Sequence, residues 1–268
     1  MNLFDLTGEI AVVLGATGVL GGAIAEGLAA AGAKVAVLGR NPERGEARVH
    51  SIRKQEGTAE FFPADALDQG SLIAASESLS SRLGTPTILV NAAGGNDPRV
   101  TVTPEHPFEQ IRLTDWRENF DLNLAGGALI PCQVFGPAMK NKRKGSIINI
   151  ASVSAHLPLS RVAAYSAAKA ALLNLTQFLA REWAPYNVRV NSVTPGFFPG
   201  EQNRRLLFNE DGTATPRGQL ILGHTPMARF GIPTELAGAA IFLASEKASG
   251  FVTGMDLRVD GGFLAQTI

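Results

Sequence analysis

Tyr165 and Lys169 form a Y-x-x-x-K pair, and residues four apart share one face of a helix. A lysine ammonium beside a phenol favours the phenolate, lowering a pKa that is ordinarily about 10. A tyrosine so placed can pass a proton to or from a substrate oxygen near neutral pH. Ser152 precedes this pair, and its hydroxyl can donate to a carbonyl and hold it. Asn123 stands further upstream, inside DLNLAGG. Taken singly, each has an ordinary explanation. Y-x-x-x-K is common on helix surfaces, serine often caps a helix, and asparagine within a helix is usually exposed. Their order along the chain, and their places near strand ends, give them weight together.

The elements that must hold them follow from the apolar runs. Short uninterrupted runs read as strands buried on both faces: residues 10–15, 34–38, 59–62, 88–91, 146–150, 188–193 and 257–259. Helical stretches alternate with them at residues 21–31, 42–56, 69–83, 114–139, 162–183 and 233–245. This alternation argues for parallel βαβ units. The expected fold is a single-domain α/β Rossmann-type doubly wound parallel sheet, about seven strands with helices on both faces. Residues 197–232 break the rhythm, and an irregular excursion of that length reads as a lid or binding loop.

Between the first strand and first helix lies Gly15-Ala16-Thr17-Gly18-Val19-Leu20-Gly21. Glycines at this position permit a tight turn, let backbone approach a pyrophosphate, and pack the helix against the sheet. The helix N-terminus then offers free N–H donors to the phosphates. The second strand ends in Gly39-Arg40-Asn41, where a carboxylate would accept from a ribose 2′-hydroxyl. Arg40 can instead face a 2′-phosphate, which favours NADP(H) and leaves NAD(H) open.

In these motifs the chain resembles the short-chain dehydrogenase/reductase family over essentially its whole length. The matching pieces are GATGVLGG, Asp65-Ala66, Asn91-Ala92-Ala93-Gly94, Asn123, IASVSA, YSAAK, RVNSVTPG and the tail Val259-Asp260-Gly261-Gly262. The resemblance implies that Tyr165 is the general acid/base, that Lys169 lowers its pKa and holds the nicotinamide ribose, and that Ser152 orients the substrate carbonyl. It implies that Asn123 holds a water in a proton relay. Asp65 and Ala66 would border the adenine, and Asn91, Ala92, Ala93 and Gly94 would line the nucleotide cleft. Pro195, Gly196 and Phe198 would flank the nicotinamide. The chain departs from the family pattern in carrying Leu14 where Thr is usual before the first glycine, and Val19 where the middle glycine usually falls. It also has Phe197-Phe198-Pro199-Gly200 where a Thr commonly follows Pro-Gly.

Within the family the chain is similar to a subgroup of D-mannonate oxidoreductases, or fructuronate reductases, in GVLGGAIA, AAGGNDP, FDLNLAGG, PGFFPGEQNRRLLFNEDG and LGHTPMARFG. A sugar acid needs donors for its hydroxyls and a cation for its carboxylate. Asn96, Ser152, Arg161, Gln202, Asn203 and Arg204 are the candidates. A gluconate 5-dehydrogenase-like enzyme or a broad ketoreductase is the alternative. A dinucleotide-binding sensor is the non-enzyme alternative, and the intact Ser152, Tyr165 and Lys169 argue against it. The resemblance, with the apolar long helices, also implies a homotetramer.

Composition narrows the classes further. The 268 residues carry 24 Lys+Arg against 24 Asp+Glu, so there is no basic excess of the kind a nucleic-acid binder shows. Cys132 is the one cysteine, which makes a disulfide impossible within the chain and a cysteine-based metal site improbable. Apolar runs are interrupted before reaching membrane-spanning length, and the N-terminus shows no signal-peptide pattern. A soluble cytoplasmic protein with a small-molecule substrate, no metal and no membrane partner is the expectation.

Overall fold

The computed structural model describes residues 2–200 and 203–267. Ile10–Leu14, an unbroken apolar run, forms β1 near the middle of a seven-stranded sheet. The elements then run α1 (Val19–Ala30), β2 (Lys34–Gly39), α2 (Pro42–Lys54), β3 (Thr58–Pro63), α3 (Gln69–Arg82) and β4 (Ile88–Asn91). The second half continues with α4 (Leu113–Asn123), α5 (Ile130–Lys142), β5 (Gly145–Ile150), α6 (Ala163–Trp183) and β6 (Val188–Pro195). It closes with α7 (Arg204–Leu207), α8 (Pro216–His224), α9 (Glu235–Ala244), α10 (Glu246–Ser249) and β7 (Asp256–Val259). The strand order is β3-β2-β1-β4-β5-β6-β7, and every neighbouring pair is parallel.

Alternation along β1 shows how the sheet divides the core. Ala11 and Val13 face Ile24 and Leu28 of α1, Val49 of α2 and Leu236 of α9. Val12 and Leu14 face Leu72 and Leu79 of α3, Phe135 of α5 and Leu179 of α6. Each side chain of this size, once fully buried, contributes about 1.5–3 kcal/mol. The chain reverses its winding direction between β1 and β4, and such sheets bind ligands at that switch point, beyond the carboxyl ends of the strands.

Two expectations change. The helix expected over 114–139 is broken into α4 and α5 by a π-helical turn, Ala125–Leu129. The N–H groups of Ala128 and Leu129 both reach the Leu124 carbonyl, at 3.0 Å each. The small residues there let the helix pass close to the loop after β3, since a Cβ on Gly126 would stand 3.2 Å from the Ala66 side chain. The 197–232 excursion is not wholly irregular, for it contains α7 and α8. Thr215 caps α8, its hydroxyl accepting from Gly218 N at 3.0 Å, and Pro216 opens the first turn. Among the described residues no helix is long and apolar enough to cross a membrane.

Candidate active site

The glycine loop leaves β1 through Gly15, at φ +86°. A Cβ on Gly15 would lie 2.7 Å from the backbone of Ala92 and Ala93 at the end of β4, so only glycine fits. The next strand end is thus pressed against the loop. Gly18 is the N-cap of α1 and no side chain caps that turn, so its N–H groups remain for an anion. Val19 and Leu20 begin the helix. Thr17 packs on Gly39, and a Cβ at Gly39 would stand 2.6 Å from Thr17 Cγ2. Arg40 follows at the surface. Asn41 is a helix cap, its Oδ1 accepting from Arg44 N at 3.0 Å. Along the strand ends, Asp65 Oδ1 accepts from Leu67 N, and Ala66 is buried. Asn91 donates from Nδ2 to Asn149 Oδ1 at 2.8 Å and leaves its buried Oδ1 without a partner. A tight loop open to close backbone approach, an uncapped helix N-terminus and an unsatisfied buried amide oxygen together fit a dinucleotide.

The proton-transfer candidates meet at the ends of β4 and β5. Ser152 follows β5 with extended backbone; its hydroxyl accepts from Ser154 N at 3.2 Å and lies near the Tyr165 phenol. Burial nevertheless holds that phenol above its ordinary value, with the Ser152 contact working the other way. Lys169, on the next turn of α6, is buried and donates from Nζ to the Ile150 carbonyl at 2.7 Å. Its Nζ lies 5.7 Å from the Tyr165 ring centre. Burial brings the ammonium down to about 8. In the protein by itself burial sets the direction of the phenol's shift, opposite to the expected depression.

Asn123 is engaged by the chain. Its Oδ1 accepts from Gly95 N at 2.9 Å, and its Nδ2 donates to the carbonyls of Gly95 and Asn119, both at 2.8 Å. The adjacent Gly94, at φ +143°, has no room for a Cβ, which would fall 2.5 Å from Asn123 Oδ1 and 3.5 Å from Lys169 Nζ. Asn123 thus fixes the Gly94–Gly95 turn against Lys169. The sequence reading missed Asn119, one turn earlier, which is buried, donates to Gly95 O at 3.1 Å and leaves Oδ1 unpartnered. Its signal was the i, i+4 asparagine spacing in NFDLN.

The expected substrate and nicotinamide contacts divide. Asn96 holds its own loop, donating to Thr101 Oγ1 at 2.6 Å. Asn203 closes the start of the excursion, accepting from Gly200 N at 2.7 Å and donating to Phe198 O at 2.9 Å. Arg204 stacks over Phe208 at 5.5 Å. Gln202 lies outside the described residues. Phe198 is buried with its ring against Gly231 and packs with the core. Pro195 and Gly196 end β6 beside β7, Gly196 N donating to Val259 O at 3.0 Å. Arg161 stands just before α6, on the same stretch of chain as Tyr165.

A parallel sheet in this order, with a glycine loop at its switch point and Ser, Tyr and Lys gathered at the β5 end, defines a dinucleotide-dependent oxidoreductase scaffold. The chain belongs to the short-chain dehydrogenase/reductase family. The matching family model, described as "Enoyl-(Acyl carrier protein) reductase", spans residues 15–264. The uncharacterized oxidoreductase UxuB of Bacillus subtilis (strain 168) is 42% identical, over 97% of this chain and 96% of that protein. A solved structure from Haemophilus influenzae, provisionally assigned as a D-mannonate oxidoreductase and holding NAD, superposes with a TM-score of 0.92. It is 37% identical, covering 98% of this chain and 97% of its own. A gluconate 5-dehydrogenase from Burkholderia cenocepacia, in complex with NADP and tartrate, has a TM-score of 0.89 at 33% identity over 99% of each chain.

Proposed function

We propose that the chain interconverts a ketone and a secondary alcohol on a sugar acid of the fructuronate/mannonate type, with NADP(H) preferred and NAD(H) accepted. The observation that carries the reaction is the gathering of Ser152, Tyr165 and Lys169 at the end of β5, with the buried Lys169 ammonium 5.7 Å from the centre of the phenol ring. The nicotinamide, when bound, supplies or accepts the hydride. Ser152 donates to the substrate carbonyl oxygen and sets it beside Tyr165. The phenol then gives its proton to that oxygen as charge develops there. The phenol holds its proton at neutral pH and can therefore act as the acid. Lys169 is charged below about pH 8 and stabilises the phenolate left behind. Oxidation runs the same groups in reverse.

The NADP(H) preference rests on Gly39-Arg40, which sets an arginine and no carboxylate at the end of β2. NADP in the Burkholderia structure and NAD in the Haemophilus one agree with use of either. Residues 197–232 are read as the substrate cover, since Gly200 folds back against Val19 of the glycine loop. The likeness to the Burkholderia enzyme favours gluconate 5-dehydrogenase-like activity as the second reading. The test is oxidation of NADPH and NADH with fructuronate, tagaturonate, 5-ketogluconate and an acetoacetyl thioester. Fructuronate or tagaturonate should be reduced fastest. A strong preference for 5-ketogluconate selects the second reading, and a preference for the thioester overturns the sugar-acid assignment.

A further inference from the structure

Three features in one place are each unfavourable to the protein by itself. Arg161 has φ +77°, a conformation rare for residues bearing a side chain. Arg217 is the second residue of α8, where a cation meets the positive end of the helix dipole. The two guanidiniums also work against each other: the charge of Arg161 adds to the burial that already disfavours a charged Arg217. Among the described residues neither makes an ion pair. Among the described residues Arg217 Nη1 reaches the Ser160 hydroxyl, at 3.5 Å. That contact seats the first turn of α8 on the loop that joins Ser152 to Tyr165.

Backbone strain persists where the surrounding structure holds it and gathers at ligand sites, and with Arg161 exposed and Arg217 half-buried a ligand can reach both guanidiniums. Two forked guanidinium donors match the geometry of a carboxylate, and the Arg217 contact with Ser160 brings one of them to the residue next to the other. One comes from the chain four residues before Tyr165, the other from the 197–232 excursion. We propose that Arg161 and Arg217 form a carboxylate clamp at the substrate end of the cleft. It grips the terminal carboxylate of a keto-acid or hydroxy-acid whose reacting carbon lies at Ser152 and Tyr165. The proposal rests on the sugar-acid reading above and adds Arg217 to it. Because α8 brings one of the two arginines, an acidic substrate would also hold the excursion down over itself, and a neutral ketose would not.

The test is calorimetric titration of the NADP-loaded enzyme with gluconate. Arg161→Ala and Arg217→Ala should each weaken gluconate by about 10–100-fold, the size of a lost charge-assisted hydrogen bond, with Arg217→Lys between. The dissociation constant for NADP, measured on the same proteins, should stay within about twofold of the wild type, because neither arginine belongs to the nucleotide site. If Arg217→Ala loses NADP, Arg217→Gln, which keeps the bulk of the side chain, carries the comparison. In kinetics, the ratio of kcat/KM for 5-ketogluconate over fructose should fall by the same 10–100-fold. Unchanged gluconate affinity in both arginine variants, with 5-ketogluconate still reduced by the wild type, overturns the clamp and leaves the sugar-acid reading standing. A wild type that reduces fructose but neither binds gluconate nor reduces 5-ketogluconate, fructuronate or tagaturonate overturns both.

Discussion

Burial acts on both titratable groups of the candidate site, and in opposite senses. It raises the Tyr165 phenol and brings the Lys169 ammonium down to about 8, in each case favouring the neutral form. Tyr165→Phe removes the proton but none of the nucleotide contacts. Reduction should fall by at least 10²-fold, the usual worth of general acid catalysis, with NADPH affinity within about twofold. A variant retaining a tenth of the wild-type rate would reject Tyr165 as the acid. Lys169 gives a stability prediction. Its folded value is below its unfolded one of about 10.5, so the folded protein bears the cost of a buried charge below pH 8. Between about pH 8 and 10.5 the unfolded chain binds the extra proton, so stability from this residue rises with pH. The stability of the wild type relative to Lys169→Met should therefore climb by up to about 1.4 kcal/mol per pH unit across that window. Urea unfolding at pH 7, 8.5 and 9.5 measures it, and a constant difference would show that Lys169 titrates normally.

At the scale of elements, the end of β2 and the glycine loop are one unit, because Gly39 and Thr17 are in contact. Arg40→Ala should weaken NADPH by about 10–100-fold relative to NADH, the range of one charged hydrogen bond. Equal binding of the two cofactors by the wild type would remove Arg40 as a phosphate ligand. Converting the site to favour NADH takes an acid at position 39, and there the structure adds a condition. An aspartate Cβ would stand 2.6 Å from Thr17 Cγ2, so Gly39→Asp with Arg40→Ala should perform poorly until Thr17→Ala is added. Dissociation constants for the double and triple variants test this, and a double variant that already prefers NADH refutes the clash. The π turn between α4 and α5 is a second such unit. It follows directly on Asn119 and Asn123 of α4, which hold the Gly94–Gly95 turn, and lets Gly126 approach Ala66.

Across the whole molecule, several large apolar side chains lie uncovered among the polar residues of the helix surfaces. Leu113 on α4, Leu129 between α4 and α5, and Phe178 on α6 at 55% exposure are uncovered, and Phe251 beside β7 is fully so. Uncovered apolar surface of this kind marks association sites. We expect a homotetramer, with light scattering at micromolar concentration giving about four times the chain mass of 28.2 kDa. A mass of one chain would mean these faces are simply tolerated by water.

The sheet was legible because buried parallel strands are written as short apolar runs, and runs such as IAVVL and ILVN can do little else. The glycine loop and Y-x-x-x-K were legible because their chemistry depends on spacing along one turn. What only the tertiary structure decided depends on contacts between distant segments. Asn96 and Asn203 are candidate ligand contacts by residue type, and only the fold shows that Asn96 Nδ2 and both amide atoms of Asn203 are engaged by their own loops in the protein by itself. Phe198 turned inward because Gly231, some thirty residues on, leaves room for its ring. Arg217 carried no local signal, since its meaning comes from the Ser160 loop that α8 lies against. Sequence spacing specifies what a short segment can do on its own, whereas the partner of a side chain, and so its charge state and its freedom to meet a ligand, is set by which remote backbone folds against it.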